Sequence, residues 1–296
     1  MFSIVVPSYN QGRFISQTLD SILEQSFRPL EIVIVDGAST DGTIEVLKEY
    51  ARRYPAEVRW ISEKDNGPAD AVNKGLALVR GEYIGIQSSD DFYYPGALAQ
   101  AAQVFTQNPD CGFVYGDCTG IDAQGSNLGS GNLPAFSWEA FYGIAMCIPQ
   151  GSIFFRRSVQ QQVGGWNPKY FGCDLDFWMR LLFRTRAIKV QKSLSAWRIY
   201  PDQRTTPARF ARIWHDYWAM IADSADVRSA TPRVQRLARA SRHILALTFH
   251  PTGNIWSVRG HLLLASFLHP TWWRYHKPAQ LKRLIPGYGR LQALRK

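Results

Sequence analysis

The sequence predicts an α/β protein with a mostly parallel central sheet, helices on both faces of that sheet, and a helical appendage at the C-terminus. Three observations support this fold class. Strand-like and helix-like segments alternate over the first 120 residues, the strand-like segments are short apolar runs, and 46% of the 296 residues are hydrophobic. Such alternation is typical of parallel sheets covered by helices, whose strands are apolar on both faces.

Each element follows from a local pattern. The apolar run at residues 4–6 predicts the first strand, and the β-branched run at 32–35 predicts a second strand that is buried on both faces. Between them, apolar residues recur at helical spacing over 11–25. The same reasoning predicts helices at 43–53, 69–79 and 95–107 and strands at 58–61, 83–86 and 113–115.

After residue 120 the alternation weakens. The segment 122–134 is rich in Gly, Ser and Asn and predicts a loop. From about residue 201 the sequence is helical in pattern, basic and rich in Trp, so we predict one domain over 1–204 and a second region over 205–296. Weaker signals predict a strand at 152–155, a helix at 174–183 and a strand at 196–199.

Charge and hydropathy limit the classes of partner. The net charge is +10, and residues 228–296 contain many Arg and Lys but no Asp or Glu. Such a stretch favours anionic lipid, nucleic acid or a phosphorylated substrate, or is simply a solvated surface. Met1 leads into a strand without a secretory signal, and the longest strongly apolar stretch, 262–268, is too short to span a bilayer, so we expect a cytoplasmic protein. The cysteines lack zinc spacing and predict reduced thiols.

The predicted strand ends supply acidic residues instead of a glycine-rich phosphate loop. The turn after the first strand, Pro7 to Gly12, contains one glycine, which argues against a dinucleotide-binding fingerprint, and no P-loop motif is present. Ligands of parallel α/β sheets bind beyond the carboxyl ends of the strands. Asp36, at the end of the second strand, is therefore a candidate to bind a ribose or a base N–H.

Further acids occur in pairs. Asp90 and Asp91 follow the fourth strand, where two adjacent carboxylates are costly unless a cation meets them. A hard divalent cation such as Mg²⁺ fits such oxygen ligands, although helix capping is an alternative interpretation. Asp70 lies in the first turn of a predicted helix, and Asp174 and Asp176 begin another; taken alone, these acids are ordinary complements of a helix dipole.

Taken together, the motifs resemble the inverting glycosyltransferases of family 2, which have the GT-A fold. The resemblance covers about residues 2–200, and it depends on the order and spacing of motifs that are individually weak. In chain order the motifs are VPSYN at 6–10, IVDGASTDGT at 34–43, DNG at 65–67, DAVNKG at 70–75, SDD at 89–91, VGGW at 163–166 and DLD at 174–176.

The resemblance implies a role for each matched position. Asp174 would be the general base, and Asp90 would hold a divalent metal, Mg²⁺ or Mn²⁺. Pro7, Tyr9 and Asp36 would line the nucleoside pocket. The complete set of implied substrate-binding residues is Pro7, Tyr9, Asp36, Asp70, Asp91, Asp176 and Arg180.

Two of the family's motifs are incomplete in this chain. The D-x-D position reads Ser88-Ser89-Asp90, and the E-D position reads Cys173-Asp174, so each motif lacks its first acid. The missing acids keep a second hypothesis open, namely a non-catalytic protein that binds nucleotide sugar. A nucleic-acid binder is not favoured, because no such motif is present and acids at the strand ends repel phosphate.

We therefore predict a metal-dependent glycosyltransferase that moves a sugar with inversion from a nucleotide diphosphate donor, with UDP-sugar favoured. The acceptor would be a saccharide or a lipid-linked molecule in cell-surface polysaccharide biosynthesis. The run 261–268 followed by Trp272, Trp273 and Arg274 predicts either an element at the inner face of the cytoplasmic membrane, in contact with anionic lipid, or a packing surface.

Overall fold

The structure is a computed structural model, and it describes residues 1–144, 148–204, 216–249 and 255–275. The chain divides into two compact units. The first comprises residues 1–133 and 148–206, and the second comprises residues 134–147 and 207–296. The short segment 134–147 thus belongs with the C-terminal region, although it is inserted between parts of the first unit.

The first unit is built on one sheet, which has nine strands in the described part of the chain. The strand order is β3-β2-β1-β4-β8-β6-β9-β5, with β7 paired to β6. The strands are β1 Phe2–Ser8, β2 Leu30–Asp36, β3 Val58–Ser62, β4 Tyr83–Ile86, β5 Phe92–Tyr93, β6 Cys111–Ile121, β7 Asn127–Ser130, β8 Ile153–Arg156 and β9 Arg186–Arg198.

Helices connect the strands and make up the described part of the second unit. In the first unit they are α1 Ile15–Leu23, α2 Thr43–Arg53, α3 Pro68–Leu78, α4 Ala97–Gln107, α6 Arg157–Val163, α7 Cys173–Leu182 and a 3₁₀ turn at Gln150–Ser152. In the second unit they are α5 Trp138–Ile144, α8 over residues 216–223, α9 Ala225–Ser229, α10 Pro232–Phe249, α11 Ile255–Leu268 and a 3₁₀ turn at Trp272–Tyr275.

The half of the sheet that begins the chain is parallel, as predicted. β1 lies between β2 and β4, and β2 pairs with β3. Side chains alternate between the faces, so Ile4 and Ile32 join a core with residues of α1, α2 and α4. Val5 points to the other face, where α3 approaches so closely that a Cβ on Gly75 would lie 2.4 Å from a Val5 methyl. Burial on both faces explains why these strands have no polar alternation.

The second half of the sheet is mixed. β8 runs antiparallel between β4 and β6, β9 is parallel to β6, and β5 is antiparallel to β9. β9 extends over Arg186–Arg198, whereas the sequence predicts only 196–199, because charged residues interrupt its half-exposed N-terminal part. β7 lies in the predicted loop at 122–134, and all four of its residues are exposed. The C-terminal end of β9 lies beside β5, next to the acidic pair after β4.

The second unit is helical in its described residues. The ring of Trp138 stacks on that of Tyr142 within α5, with centroids 5.6 Å apart. The imidazole of His269 lies 2.9 Å from the backbone oxygen of Glu139, which links the segment after α11 to α5. Among the residues that the structure describes, no helix combines the length and apolarity needed to cross a membrane.

Candidate functional site

The first group of predicted site residues lies at the carboxyl ends of β1 and β2. Parallel pairing places Ser8 opposite Asp36, which in turn lies opposite Ser62 at the end of β3. The Asp36 carboxylate is fully buried, and it accepts hydrogen bonds from the Ser39 N–H at 2.9 Å and the Ser62 hydroxyl at 2.7 Å. Asp36 therefore holds the turn after β2 and shapes this edge of the sheet.

An aromatic ring and a carboxylate meet beside that turn. The Tyr9 side chain is 62% exposed. A Cβ on Gly37 would lie 3.2 Å from the Tyr9 ring and 2.9 Å from an Asp65 carboxylate oxygen, so only glycine leaves both groups in place. The other Asp65 oxygen accepts the Gly67 N–H at 2.8 Å. This arrangement can stack a flat heterocycle and accept hydrogen bonds from its N–H groups. The sequence reasoning did not single out Asp65, because nothing in its DNG motif distinguishes it from a turn residue.

Pro7 and Asp70 lie on neighbouring elements. Pro7 is the penultimate residue of β1. Asp70 is in the first turn of α3, where it accepts the Asn66 N–H at 3.1 Å and lies 3.4 Å from the Lys74 ammonium. The Asn66 N–H, followed by the Lys74 charge, lowers the pKa of the Asp70 carboxyl. Lys74 also lies 2.7 Å from Glu63, so Asp70 belongs to a partly exposed ionic network at the start of α3.

Asp90 lies on the loop after β4 and is only partly exposed. Its Oδ2 accepts a hydrogen bond from the Tyr200 hydroxyl at 2.7 Å, and its backbone oxygen accepts one from Arg198 Nε at 2.9 Å. Burial raises the pKa of the Asp90 carboxyl, against the opposing effect of the Tyr200 hydrogen bond. Arg198, the last residue of β9, and Tyr200 thus hold this loop, although both are more than 100 positions away in the chain.

Asp91 has a different environment. Its side chain is buried, and its Oδ1 accepts the Arg198 backbone N–H at 2.8 Å. Its backbone oxygen accepts the Thr18 hydroxyl of α1 at 2.6 Å. Burial raises the pKa of Asp91 well above its ordinary value, and the adjacent Asp90 charge raises it further. These contacts show that Asp91 ties the loop to α1 and β9.

A cluster of cations and aromatic rings surrounds the Tyr200 hydroxyl. The Arg13 guanidinium carbon lies 4.5 Å from the centre of the Phe14 ring and 4.6 Å from that of Tyr200, within cation–π range. The Arg198 guanidinium carbon also lies 4.5 Å from the centre of the Phe14 ring, so this ring contacts both arginines. Gln11 Nε2 donates to the Tyr200 oxygen at 3.2 Å. The sequence reasoning missed this cluster because its members come from the loop after β1 and the end of β9.

Two polar atoms at the same edge lack protein partners. Among the described residues, neither the Ser8 hydroxyl nor the Gln11 Oε1 has a hydrogen-bond partner, although both atoms are buried. Buried polar atoms are nearly always hydrogen-bonded in native proteins, so unpaired ones call for a bound molecule or water. Ser8 ends β1 and Gln11 lies in the loop after it, within the region where the resemblance expects a nucleotide.

Asp174 begins α7 and is partly exposed. Burial raises the pKa of its carboxyl, while the Leu175 N–H and the Arg204 guanidinium act in the opposite direction. A partly exposed carboxylate with a raised pKa is a stronger base than an ordinary aspartate and can accept a proton from a ligand hydroxyl.

Asp176 and Arg180, in contrast, form an internal clamp. The Asp176 Oδ2 accepts Arg180 Nε at 2.9 Å, one helical turn away, and Asp176 is buried. Arg180 also donates to the backbone oxygens of Val163 at 2.5 Å and Gly165 at 2.7 Å. The clamp therefore anchors the VGGW motif to α7, and the predicted ligand role of this pair has no support from these contacts.

The same motif is anchored to α3. Asn73 donates to the Trp166 oxygen at 2.9 Å and accepts the Trp166 N–H at 2.7 Å. A Cβ on Gly165 would lie 2.1 Å from the Asn73 oxygen, which explains the second glycine of the motif. Two motifs that are separated by about 90 residues therefore lock α3 against the segment that precedes α7.

The structure thus joins the loop after β1, Asp90 and Tyr200 in one hydrogen-bonded group. In the part of the chain that the structure describes, no hydrogen bond links Asp174 to that group. Over the same residues, no group of three or more His, Cys, Asp or Glu side chains is arranged to hold a metal ion. Of the described side chains, Asp90 alone would thus ligate a cation at this position, and oxygens of a bound phosphate and water could complete its ligand set.

Gln87, three residues before Asp90, provides a test of packing beneath the site. It is fully buried, and among the described residues neither its Oε1 nor its Nε2 has a partner. An unpaired buried amide costs about 1–3 kcal/mol, so we expect Gln87→Leu to raise Tm by several degrees. Differential scanning calorimetry would measure the change, with the exposed Gln161→Leu as control. A lower Tm in Gln87→Leu alone would show that the amide has a partner in solution.

The chain is similar to known proteins over much of its length. The profile described as glycosyl transferase family 2 matches residues 3–163. Over 148 residues the chain is 35% identical to chondroitin synthase of Escherichia coli, a match that covers 50% of this chain and 21% of that protein. It is 30% identical to the PGL/p-HBAD biosynthesis glycosyltransferase of Mycobacterium bovis over 182 residues, covering 61% and 69%. The chain therefore spans about a fifth of the chondroitin synthase.

Two solved structures have a similar fold. S. aureus TarS 1-349, in complex with UDP-GlcNAc, has a TM-score of 0.65 at 14% identity, covering 94% of this chain and 93% of that one. The mannosyltransferase PcManGT from Pyrobaculum calidifontis, in complex with GDP-Man and Mn²⁺, has a TM-score of 0.64 at 21% identity, covering 99% and 80%. At these identities the similarity concerns the fold alone, and it confirms the predicted α/β class.

Proposed function

Because this chain belongs to glycosyltransferase family 2, we propose that it transfers a sugar from a nucleotide diphosphate donor to a hydroxyl of a saccharide or lipid-linked acceptor, with inversion. The observation that carries this proposal is the carboxyl edge of the sheet. There, an exposed ring at Tyr9, a carboxylate at Asp65 and the Tyr200-bound Asp90 lie on the loops that follow β1, β3 and β4. We further propose that the reaction serves surface polysaccharide assembly in the cytoplasm.

The nucleoside would bind at Tyr9 and Asp65. The exposed Tyr9 ring offers a stacking surface, and the Asp65 oxygen beside Gly37 can accept a base N–H. Asp36 would contribute by holding this turn, and the unpaired Ser8 hydroxyl lies at the same edge. Uracil and thymine present one ring N–H between two carbonyl oxygens, which suits a single acceptor and favours a pyrimidine donor over GDP. Of these two we favour UDP, the nucleotide of the sugar bound in S. aureus TarS 1-349.

The surroundings of the Asp90 carboxylate fit a divalent cation. The Asp90 Oδ2 atom is hydrogen-bonded to Tyr200, and no described side chain donates to the Oδ1 atom. Mg²⁺ and Mn²⁺ accept such a site when substrate phosphates complete the ligand set. A cation bound there would stabilise negative charge on the diphosphate. Tyr200 would orient the Asp90 carboxylate, and Arg13, exposed beside it, would add positive charge toward the diphosphate.

Asp174 would act as general base. The acceptor hydroxyl oxygen forms a bond to the anomeric carbon, its proton passes to Asp174, and the bond to the nucleoside diphosphate breaks with its electron pair on the leaving oxygen. A single displacement of this kind inverts the anomeric centre and requires no second carboxylate as nucleophile. The raised pKa of Asp174 favours its capture of the proton.

The proposed function is tested by ligand-induced stabilisation followed by assay. We expect UDP with Mn²⁺ to raise Tm more than UDP alone, dTDP, GDP or NADH, because a ligand that binds only the native state stabilises it. Radiolabelled UDP-sugars would then be screened for transfer to saccharide and lipid-linked acceptors. Stabilisation by NADH alone would contradict the proposal. Stabilisation by UDP without transfer to any acceptor or to water would favour the non-catalytic binding protein, which Ser88 and Cys173 at the two incomplete motifs keep as the second candidate.

Tyr200→Phe tests the proposed metal site without removing its carboxylate. The variant removes the hydroxyl that orients Asp90, and residues that orient a metal ligand typically contribute 10- to 100-fold to affinity, so we expect the Mn²⁺ concentration for half-maximal UDP stabilisation to rise by about that factor. Tyr54→Phe, at the end of α2, is the matched control. A change below about twofold in Tyr200→Phe would show that the hydroxyl has no part in metal binding.

A further inference from the structure

α11 presents a face of exposed apolar side chains in the part of the second unit that the structure describes. Leu263, Leu264 and Phe267 are 72%, 47% and 79% exposed. Leu263 and Phe267 are four residues apart, and Leu264 and Phe267 are three apart, so the three side chains share one face of the helix. A single exposed leucine is ordinary, but three large apolar side chains together mark an interaction surface.

The opposite side of α11 already has its packing partners. Ala265 and His269 are buried, and α11 packs against α10. Between these two helices, the Nδ1 atoms of His243 and His261 lie 2.9 Å apart. Trp272, for which the sequence leaves open an interfacial element or a packing surface, is 1% exposed, and its indole N–H donates to Ser266. Trp272 therefore follows the packing alternative and belongs to the core of the unit. The exposed face is therefore made by leucine and phenylalanine.

The positive charge of residues 228–296 indicates which kind of partner covers the exposed face of α11. Residues 228–296 contain 13 Arg and Lys and no Asp or Glu. Arg236 and Arg239 of α10 and Arg274 after α11 are exposed. A second copy of this surface, or the basic segment 276–296, would bring further positive charge to the face. An anionic lipid surface both neutralises these cations and accepts apolar side chains at the boundary of the acyl chains.

We propose that α11 is a membrane-docking helix, whose residues Leu263, Leu264 and Phe267 insert into the interface of an anionic bilayer while exposed arginines of the second unit contact lipid phosphates. Phe267 is the most exposed of the three and is the principal anchor. This surface belongs to the second unit, whereas the residues of the proposed donor site belong to the first, so the proposal does not depend on the identity of the sugar or the acceptor.

Vesicle flotation of the full chain tests the proposal. We expect binding to vesicles of phosphatidylcholine with phosphatidylglycerol, weak binding to phosphatidylcholine alone, and release by high salt. The triple variant Leu263→Ser, Leu264→Ser, Phe267→Ser should lower the partition coefficient by about tenfold or more, because each side chain loses its apolar transfer free energy. Leu128→Ser, which changes an exposed leucine of β7, is the matched control and should bind as the unchanged chain does.

Further measurements separate the possible outcomes. Thermal stabilisation by UDP and Mn²⁺ should be the same in the triple variant and the unchanged chain, which separates failure of docking from failure of the proposed function. If the triple variant does not fold, the single variant Phe267→Glu replaces it. Unchanged binding by these variants, or no binding by the unchanged chain, would overturn the proposal. A dimer in sedimentation equilibrium that the triple variant abolishes, without vesicle binding, would assign the face to a second copy instead.

Discussion

Asp174→Asn is expected to lower the rate of sugar transfer by about 10²- to 10⁴-fold, the usual contribution of a general base. Asparagine keeps the size of the side chain but cannot accept the proton of the acceptor hydroxyl. Donor binding should persist, because Asp174 has no hydrogen bond to the Asp90 group in the described residues. The measurements are kcat with the identified donor and acceptor, and the Tm shift with UDP and Mn²⁺.

Two comparisons make this result specific. Asp202→Asn, which changes an exposed acid of the same unit, should retain full activity. The pH profile of kcat/KM should fall on the acid side, because Asp174 accepts a proton only when it is ionised, and burial raises its pKa. The fall should therefore lie above the range of an ordinary aspartate, about 3.9. An Asp174→Asn variant with near-normal kcat would exclude this residue as the base.

Asp90→Asn is expected to remove the metal-dependent part of donor affinity, with a loss of roughly 100-fold or more, because it removes the ligand itself and not merely a residue that orients it. The amide keeps the volume of the side chain and can still contact the Tyr200 hydroxyl, so the fold should be retained. Electron paramagnetic resonance of Mn²⁺ in the presence of UDP measures the loss directly, without any turnover.

Asp91→Asn is the informative control for that experiment. Its carboxylate is buried beside Asp90, which disfavours its charge, and the amide oxygen of asparagine can still accept the Arg198 backbone N–H. Asp91→Asn should therefore keep or raise Tm, and Mn²⁺ affinity should be retained. Equal loss of Mn²⁺ affinity in both variants would mean that the loop, and not the Asp90 carboxylate, determines metal binding.

The parallel half of the fold could be predicted because its central strands are buried on both faces. Residues 32–35 of β2 form an unbroken apolar run for that reason. β9 could be predicted only at its C-terminal end, because its first eight residues are exposed or half-exposed and carry charges. Trp272 shows the same limit from the other side: composition indicates that a tryptophan is amphipathic, but only tertiary packing decides whether it is buried.

Among the site residues, local contacts could be predicted from the sequence and long-range contacts could not. The Asp176–Arg180 pair is visible in the sequence as an i, i+4 ion pair, and an internal clamp is its simplest interpretation. The Asp90–Tyr200 hydrogen bond joins residues 110 positions apart, and no local pattern identifies the partner. Asp65 becomes notable only when the fold places both it and Tyr9 against Gly37.

The Asp90–Tyr200 bond has a consequence for the order in which the protein becomes competent. Chains are synthesised from the N-terminus, and domains fold as their residues emerge. β1 to β4 can pair early, whereas the loop at Asp90 acquires Arg198 and Tyr200 only after some 200 residues have been made. A nascent chain would thus form the parallel half of its sheet well before Tyr200 can hold the Asp90 carboxylate, and under the proposed function an incomplete chain would lack an oriented metal ligand.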